Sequence, residues 1–319
     1  MKLISYISSL IIGASLILVF EPFNFWFLTF FIPLSLYFLI KDHDIKSSFY
    51  LGWFFGFGLW LIGIFWIENS IYFYGGATKS VSYFLVICLS AFLALLNGIF
   101  FGIFAYCKTK TNFDILFLFP SIWVGSEWIR EFLLSGFPWF YLGYTSLDNF
   151  FFSGFIPIFG VFGMSFILIF IPALIFVLSE SLISGRQKKI SLIYLTIFSL
   201  FLIASFSSYK VEWTTKKDEV NIVIIQPNIS IEEKWSFQGE NESINLFKSK
   251  IKEHSSKSKD KDILSIIFWP EVFLPGLSSK YTKVIDELEI YISESNFASI
   301  FGILSKSNNE EGVSNSLMS

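Results

Sequence analysis

The sequence predicts a multi-pass α-helical membrane bundle followed by an α/β domain. Of its 319 residues, 54% are hydrophobic and only 15% are charged, which is too apolar for an ordinary soluble domain. Charged residues are sparse up to about residue 209 and dense beyond it, so a lipid-embedded half precedes a water-exposed half. In the second half, short isoleucine-rich runs alternate with amphipathic segments, as in strands joined by helices.

The first half, residues 1–209, contains about seven candidate membrane spans. A spanning helix needs about 20 mostly apolar residues. The candidates are residues 3–20, 23–40, 49–67, 81–107, 115–134, 155–182 and 190–208. The first lacks a small-residue cleavage site before Glu21, so we predict a retained anchor rather than a signal peptide.

The cations predict the orientation of the bundle, because cytoplasmic loops are enriched in lysine and arginine. On a seven-helix path, only Lys79 and Arg130 approach one side. The cations of the other side are Lys2, Lys41, Lys46, Lys108, Lys110, Arg186, Lys188 and Lys189. We therefore expect a cytoplasmic N-terminus and an extracytoplasmic location for everything after about residue 209.

The fifth segment contains a candidate pair of ionisable residues, Glu127 and Arg130, followed directly by Glu131. Their i,i+3 spacing lets each partly neutralise the other on one helix face. One interpretation is a functional pair, since charges at membrane depth are costly. The other is an interfacial pair near an aromatic belt of Trp139, Tyr141 and Tyr144.

Gly136 and Pro138 interrupt the helix after this pair. Residues 137–144 could then form a loop lying in the membrane interface. Such a loop suits an enzyme whose substrates arrive from the bilayer, and Trp139 is its candidate substrate-binding residue.

A charged linker, residues 210–219, leads to the α/β pattern of residues 220–319. Strands are predicted at 220–228, 263–269 and 298–304, and helices at 238–255 and 281–295. Right-handed crossovers would make the sheet mainly parallel, with strand ends aligned on one edge. The residues after the first two strands, 226–228 and 269–271, should then be neighbours.

Glu271 is the candidate catalytic residue, because it lies just past the second predicted strand, which ends at Pro270. Open α/β sheets place ligands and catalytic groups at such strand ends. The alternative is a solvated loop carboxylate. Trp235, after the first strand, could fold over the same edge or could be a packing aromatic.

Several classes of site receive no support. No basic stripe or nucleic-acid motif is present, and His43 and His254 have no partner at metal-ligand spacing. Cys88 and Cys107 lie about 28 Å apart if one helix carries both. The second half has no cysteine, hence neither a disulfide nor a thiol nucleophile.

Taken together, motifs along essentially the whole chain resemble those of the apolipoprotein N-acyltransferase family. Each motif is weak alone, but their joint order is specific. In the first half they are Gly56-Phe57-Gly58, Trp66-Ile67, Gly75-Gly76, Glu127-Trp128-Ile129-Arg130, Gly136-Phe137-Pro138-Trp139, Gly143-Tyr144, Pro157-Ile158-Phe159-Gly160 and Gly163-Met164-Ser165-Phe166. In the second half they are Gln226-Pro227-Asn228-Ile229, Lys234-Trp235 and Trp269-Pro270-Glu271.

The resemblance implies an αββα nitrilase-like domain with a Glu-Lys-Cys triad, in which Glu271 is the general base and Trp235 lies beside the active-site entrance. The implied reaction moves an acyl chain from a membrane phospholipid, through a cysteine thioester, to the α-amine of a diacylglyceryl-cysteine lipoprotein. It is the last step of lipoprotein maturation. The implied location is the bacterial inner membrane, with residues after about 210 in the periplasm. No metal or organic cofactor is implied.

In the family, the triad lysine and cysteine come later than the strand that corresponds to 298–304. This chain departs from that pattern because it ends at Ser319, before either of them. Lys306 is too early in the pattern to serve. By this resemblance, residues 220–319 are the N-terminal part of an incomplete nitrilase-like domain, and we expect the 319-residue chain alone to be truncated and inactive. The alternative function is a non-catalytic transporter-like bundle or lipid-binding scaffold, although no convincing inverted repeat supports a transporter.

Overall fold

The computed structural model confirms the predicted fold class, a helical membrane bundle followed by an α/β sheet domain. It describes residues 2–133, 136–147, 149–184, 188–258, 263–293, 296–306 and 313–318. The chain divides into two compact units. We call Met1–Trp213 the membrane unit and Thr214–Ser319 the sheet unit.

The membrane unit contains eight α-helices among its described residues. They are α1 (Lys2–Ser15), α2 (Ile32–Ile40), α3 (Ile45–Gly63), α4 (Ile67–Phe73), α5 (Lys79–Cys107), α6 (Phe119–Arg130), α7 (Ile156–Ser184) and α8 (Lys188–Tyr209). Within the described chain, four helical segments are long and apolar enough to cross a membrane. These are Ile45–Gly63, Lys79–Cys107, Ser153–Ser184 and Lys189–Tyr209.

The other three predicted spans are helical but shorter or broken. The first two correspond to apolar helices at Leu3–Val19 and Trp26–Ile40. The third begins as a π-helical turn at Asp114–Leu118, and its α-helix ends at Arg130, four residues before the predicted end. For these three segments the seven-span bundle stays a prediction.

Glycines allow helices α1, α3 and α5 to pack closely. A Cβ on Gly13 would lie 1.8 Å from the carbonyl oxygen of Phe55, so no larger residue fits there without moving the backbone. On another face of α3, a Cβ on Gly56 would lie 2.6 Å from Oδ1 of Asn97. The same Asn97 oxygen accepts a hydrogen bond from Nε1 of Trp60 at 3.2 Å. Close backbone approach therefore positions Trp60 in the core of the membrane unit.

The sheet unit has one four-stranded sheet with the order β1-β2-β3-β4. Its elements are β1 (Asn221–Ile224), α9 (Ile231–Lys234), α10 (Phe237–Ser258), β2 (Ser265–Phe268), α11 (Thr282–Ser293), β3 (Phe297–Lys306) and β4 (Val313–Met318). The first three strands are parallel, as predicted, and β4 pairs with β3 in the antiparallel direction. The predicted strands and long helices all form, whereas α9 was not predicted.

The two faces of this sheet differ in exposure. One face carries Ile267 and Ile303, which join Phe247 of α10 and Leu288 of α11 in a buried apolar core. The opposite face carries apolar side chains that remain exposed, and Ile222 and Ile224 keep 60% and 76% of their surface. Other exposed side chains of that face are Phe268 and Leu317. Within the described residues, helices cover only one face of the sheet.

Glu240 of α10 accepts hydrogen bonds from Lys280 and Tyr281, which lie just before α11. These bonds predict that the stability of the sheet unit depends on pH. The hydrogen bond from Lys280 is the main cause that lowers the pKa of Glu240, and the Tyr281 hydroxyl adds a second. Because the pKa in the folded state lies below the unfolded value of about 4.3, this stabilisation is complete above about pH 4.3. It is lost as the pH falls through the lowered pKa.

We therefore expect Glu240→Gln to lower the thermal midpoint near pH 6, with the difference from the unsubstituted chain shrinking below pH 4. Unfolding followed by circular dichroism from pH 3 to 7 measures this. Glu232→Gln, at an exposed position, is the control. A difference that stayed constant across the range would contradict the assignment.

Candidate active site

Glu271 lies just past the carboxyl end of β2, where the sheet pattern predicted it. The strand ends because Pro270 has no amide hydrogen to donate to the sheet. Just before it, the amide of Trp269 still donates to the carbonyl of Ile300 at 2.9 Å. The indole Nε1 of Trp269 donates to Ser299 at 3.0 Å, and its ring is buried. The residues before Glu271 are thus fixed to β3, while Glu271 itself is exposed.

The backbone after Pro270 crosses directly over Gly302 of β3. A Cβ on Gly302 would lie 2.8 Å from the amide nitrogen of Val272 and 3.0 Å from Cα of Glu271. The amide of Phe273 donates to the carbonyl of Gly302 at 3.2 Å. Val272 has a positive φ of 47°, which is rare for a β-branched residue and is associated with functional sites. Only glycine at position 302 leaves room for this path.

Two side chains hold Glu271 from either side. Nδ2 of Asn315, in β4, donates to Oε1 of the Glu271 carboxylate at 2.7 Å. Nζ of Lys234, at the end of α9, donates to the carbonyl oxygen of Glu271 at 3.3 Å. Burial lowers the pKa of Lys234, and the nearby charge of Glu271 opposes that shift.

Gly302→Ala is expected to destabilise the sheet unit by about 1–3 kcal/mol, because the new methyl group must displace the Glu271 backbone. Chemical denaturation of the purified chain measures the change. Gly276→Ala is the matched control, since a Cβ there meets only the side chain of Tyr281, at 3.0 Å or more. Equal stability of the two variants would show that the course of the backbone at Glu271 and Val272 does not depend on a glycine at position 302.

Trp235 follows Lys234 directly, so α9 brings it to the same part of the sheet unit as Glu271. Ser230 caps this short helix by accepting a hydrogen bond from the amide of Glu233 at 3.2 Å. The Trp235 side chain is 55% exposed and is absent from the buried core. Its exposure leaves the indole available to a ligand.

Trp139 belongs to the membrane unit, in the irregular stretch after α6. It is 44% exposed, and its ring lies 4.4 Å from that of Phe137. Tyr144 is also exposed, but Tyr141 is buried and its hydroxyl donates to Oε2 of Glu131 at 2.8 Å. The aromatic belt considered from the sequence therefore does not include Tyr141.

Glu127 and Arg130 do not form an ion pair of 4.0 Å or less. Oε1 of Glu127 instead accepts from Nε1 of Trp123 and from the amide of Leu142, both at 2.9 Å. The guanidinium of Arg130 lies over two rings, 4.9 Å from Trp60 and 5.1 Å from Tyr141. Glu127 thus ties the loop to α6, and the Arg130 guanidinium lies against two aromatic rings.

A family model described as the apolipoprotein N-acyltransferase N-terminal domain matches residues 12–174. This chain belongs to the apolipoprotein N-acyltransferase family. The sequence is 31% identical to the apolipoprotein N-acyltransferase of Coxiella burnetii, covering 92% of this chain and 59% of the relative. It is 27% identical to that of Pasteurella multocida, covering 99% of this chain and 59% of the relative.

The family assignment identifies an acyltransferase family member, and the chain spans about 59% of the length of these relatives. Sequence reasoning missed Asn315 as a partner of Glu271, and it missed the roles of Lys234 and Gly302. Lys234 lies beside Trp235, which was singled out, and Gly302 lies within the predicted strand at 298–304, but nothing in the sequence connects Asn315 with Glu271. Both cysteines, Cys88 and Cys107, are exposed on α5. In the described chain, no group of three or more histidine, cysteine, aspartate or glutamate residues could hold a metal.

Proposed function

We propose that this chain provides the membrane unit and the general base of an apolipoprotein N-acyltransferase. The substrates would be a membrane phospholipid and the N-terminal amine of a diacylglyceryl-cysteine lipoprotein. The observation that carries the proposal is the Glu271 carboxylate, held by Asn315 at the carboxyl edge of a parallel sheet. The family assignment supports the reaction class.

In the proposed chemistry, Glu271 takes the proton of a cysteine thiol, and the thiolate attacks an ester carbonyl of the phospholipid. The bond from that carbonyl to the glycerol oxygen breaks, a lysophospholipid leaves, and the acyl group remains as a thioester. The lipoprotein amine then attacks the thioester, so that an amide forms and the thiol returns. Trp235 would contact substrate at the entrance, and Trp139 would do so in the membrane unit.

The thiol and the triad lysine of this proposal come from outside residues 1–319. Cys88 and Cys107 lie on α5, in a membrane-spanning segment, and the sheet unit that carries Glu271 has no cysteine. A general base without a thiol has no proton to remove from a nucleophile. On their own, residues 1–319 would therefore transfer no acyl chain.

The proposed arrangement is an inner-membrane protein with its N-terminus in the cytoplasm and the sheet unit in the periplasm. The uneven distribution of lysine and arginine supports that orientation. Single-cysteine variants, probed with a membrane-impermeant maleimide in intact spheroplasts, test it. Labelling at Ser279 and not at Lys110 is expected, and the reverse pattern would contradict the orientation.

An acyl-transfer assay tests the function. Residues 1–319 are incubated with phospholipid and a diacylated lipopeptide, alone or with the polypeptide encoded directly downstream, and the lipopeptide mass is measured. We expect a third acyl chain only when a thiol-bearing polypeptide is added. A third chain formed by residues 1–319 alone, with both cysteines replaced by serine, would overturn the proposal.

A further inference from the structure

A polar cleft of about 260 Å³ opens at one end of the membrane unit, between the end of α2, the segment before α6 and the last turns of α7. It suits a ligand smaller than a drug-sized molecule, for which sites measure about 300–1,000 Å³. In the proposed orientation of the bundle, this end faces the cytoplasm. The charged residues that line the cleft within the described chain are Lys41, Asp42, Lys110, Asp114 and Glu180.

The hydroxyl of Tyr37 is an unpaired polar group in this cleft. The Tyr37 side chain is 8% exposed, and its ring packs against Phe104 and Phe119, with centroids 6.0 and 5.5 Å away. The hydroxyl has no hydrogen-bond partner in the described chain, and the charges of Asp114 and Asp42 act on it from nearby. Buried polar groups normally have a partner, so the cleft offers this hydroxyl to a ligand.

The opposite charges of the cleft do not pair with each other. Among the described residues, no ammonium group of its lysines lies within 4.0 Å of one of its carboxylates. Asp114 instead accepts hydrogen bonds from the amides of Thr109 and Lys110, at 2.8 and 2.6 Å. Asp42 and Glu180 are exposed and have no partner in the described part of the chain. Carboxylates and ammonium groups are thus both available to a ligand in one cleft.

Backbone contacts fix the positions of the two lysines. Nζ of Lys108 donates to the carbonyl of Lys41 at 2.8 Å, which holds the end of α2. The hydrogen bond to Asp114 holds Lys110, whose positive φ of 61° is uncommon for a residue other than glycine and is associated with functional sites. The Lys41 ammonium group lies 5.2 Å from the centre of the Phe38 ring, which also lines the cleft. The backbone of the cleft is therefore held in place before a ligand binds.

We propose that this cleft binds a small soluble zwitterion, in which a short chain joins an ammonium group to a carboxylate or a phosphate. The ammonium group of the ligand donates to Asp42 and Glu180. Its anionic group accepts hydrogen bonds from the two lysines of the cleft and from the hydroxyl of Tyr37. A ligand with only one kind of charge leaves the opposite side chains unpaired and binds more weakly. The site is separate from Glu271, and binding does not depend on acyl transfer.

Isothermal titration calorimetry of the full chain in a neutral detergent measures the binding. Three probes share a four-carbon chain and differ in charge. 4-Aminobutyrate carries one charge of each sign, putrescine carries positive charges only, and succinate carries negative charges only. O-Phosphoethanolamine replaces the carboxylate with a phosphate, and phosphatidylethanolamine presents the same group on a lipid.

Variants of the cleft test each part of the site. Tyr37→Phe removes the hydroxyl and keeps the ring, Glu180→Gln removes a carboxylate, and Lys110→Gln removes an ammonium group. Glu21→Gln and Lys46→Gln, at exposed positions outside the cleft, are the matched controls. Gel filtration identifies any variant that fails to fold, and the comparison of probes on the unsubstituted chain decides the question in that case.

We expect 4-aminobutyrate or O-phosphoethanolamine to bind at least about tenfold more tightly than putrescine and succinate, and the tighter zwitterion identifies the anionic group. Each cleft variant should weaken that binding about fivefold or more, and each control should leave it within about twofold. Equally tight binding of putrescine or succinate, or unchanged binding in Glu180→Gln and Lys110→Gln, would overturn the proposal. Failure of both soluble zwitterions to bind, or binding of phosphatidylethanolamine alone, would overturn it as well.

Discussion

Replacing Glu271 with glutamine is expected to slow acyl transfer by about 10²–10⁴-fold, the usual contribution of a general base. Glutamine has nearly the same shape and keeps an oxygen that can accept the hydrogen bond from Asn315. It cannot take a proton, however, so the thiol would stay protonated. The rate of acyl addition to a diacylated lipopeptide measures the effect, with the protein purified from its native membrane.

Glu289→Gln provides the control for this prediction. Glu289 is an exposed glutamate of α11 in the same unit, so the substitution makes the same charge change away from the site. It should leave the rate within about twofold. If Glu271→Gln and Glu289→Gln had equal rates, Glu271 would be a surface carboxylate and not the base.

Replacing Glu127 with leucine is expected to destabilise the membrane unit by about 3–5 kcal/mol. The change removes the acceptor for Trp123 and for the amide of Leu142, and it leaves the buried charge of Arg130 without a nearby carboxylate. Loss of the Leu142 contact also releases the loop that follows α6. Thermal unfolding in detergent measures the change.

Two further variants separate the causes. Glu131→Gln should cost far less, because Glu131 is exposed although it accepts a hydrogen bond from Tyr141. Adding Arg130→Met to Glu127→Leu should recover part of the loss, since the unpaired charge is then removed. No recovery in the double variant would show that the cost comes from the lost loop contact alone.

The fold was predictable where the local pattern decides the structure. Long apolar runs became α5 and α8 because nothing in them competes with the helix, and the apolar run of α7 stays helical on both sides of a kink at Gly160. The run at 115–134 does not form one straight helix. It starts as a π-helical turn, and after Arg130 the amide of Phe137 bonds back to the Arg130 carbonyl. Gly136, at a φ of 92°, permits that reversal.

The position of Glu271 was predictable because proline after an apolar run marks a strand end. Its surroundings were not, since they depend on pairing between distant segments. Asn315 reaches Glu271 only because β4 folds back on β3 and places Asn315 opposite Leu304. The need for glycine at position 302 likewise arises from a crossing backbone that no local pattern shows.

The spacing of Glu127 and Arg130 suggested mutual neutralisation, and the structure gives them other neighbours. Helical spacing places the two side chains on one face but does not show what lies against that face. Trp60 comes from α3, and Tyr141 and Leu142 come from the loop after α6. These aromatic rings and this backbone amide, all distant in sequence or beyond a helix end, determine where the two charges point.

The most direct test of the account is to locate the acyl group on the protein during the reaction. The protein purified from its native membrane is incubated with phospholipid in the absence of an acceptor, digested, and the acylated peptide is identified by mass spectrometry. We expect a thioester on a cysteine outside residues 1–319, absent in Glu271→Gln. An acyl group on Cys88 or Cys107 would contradict it.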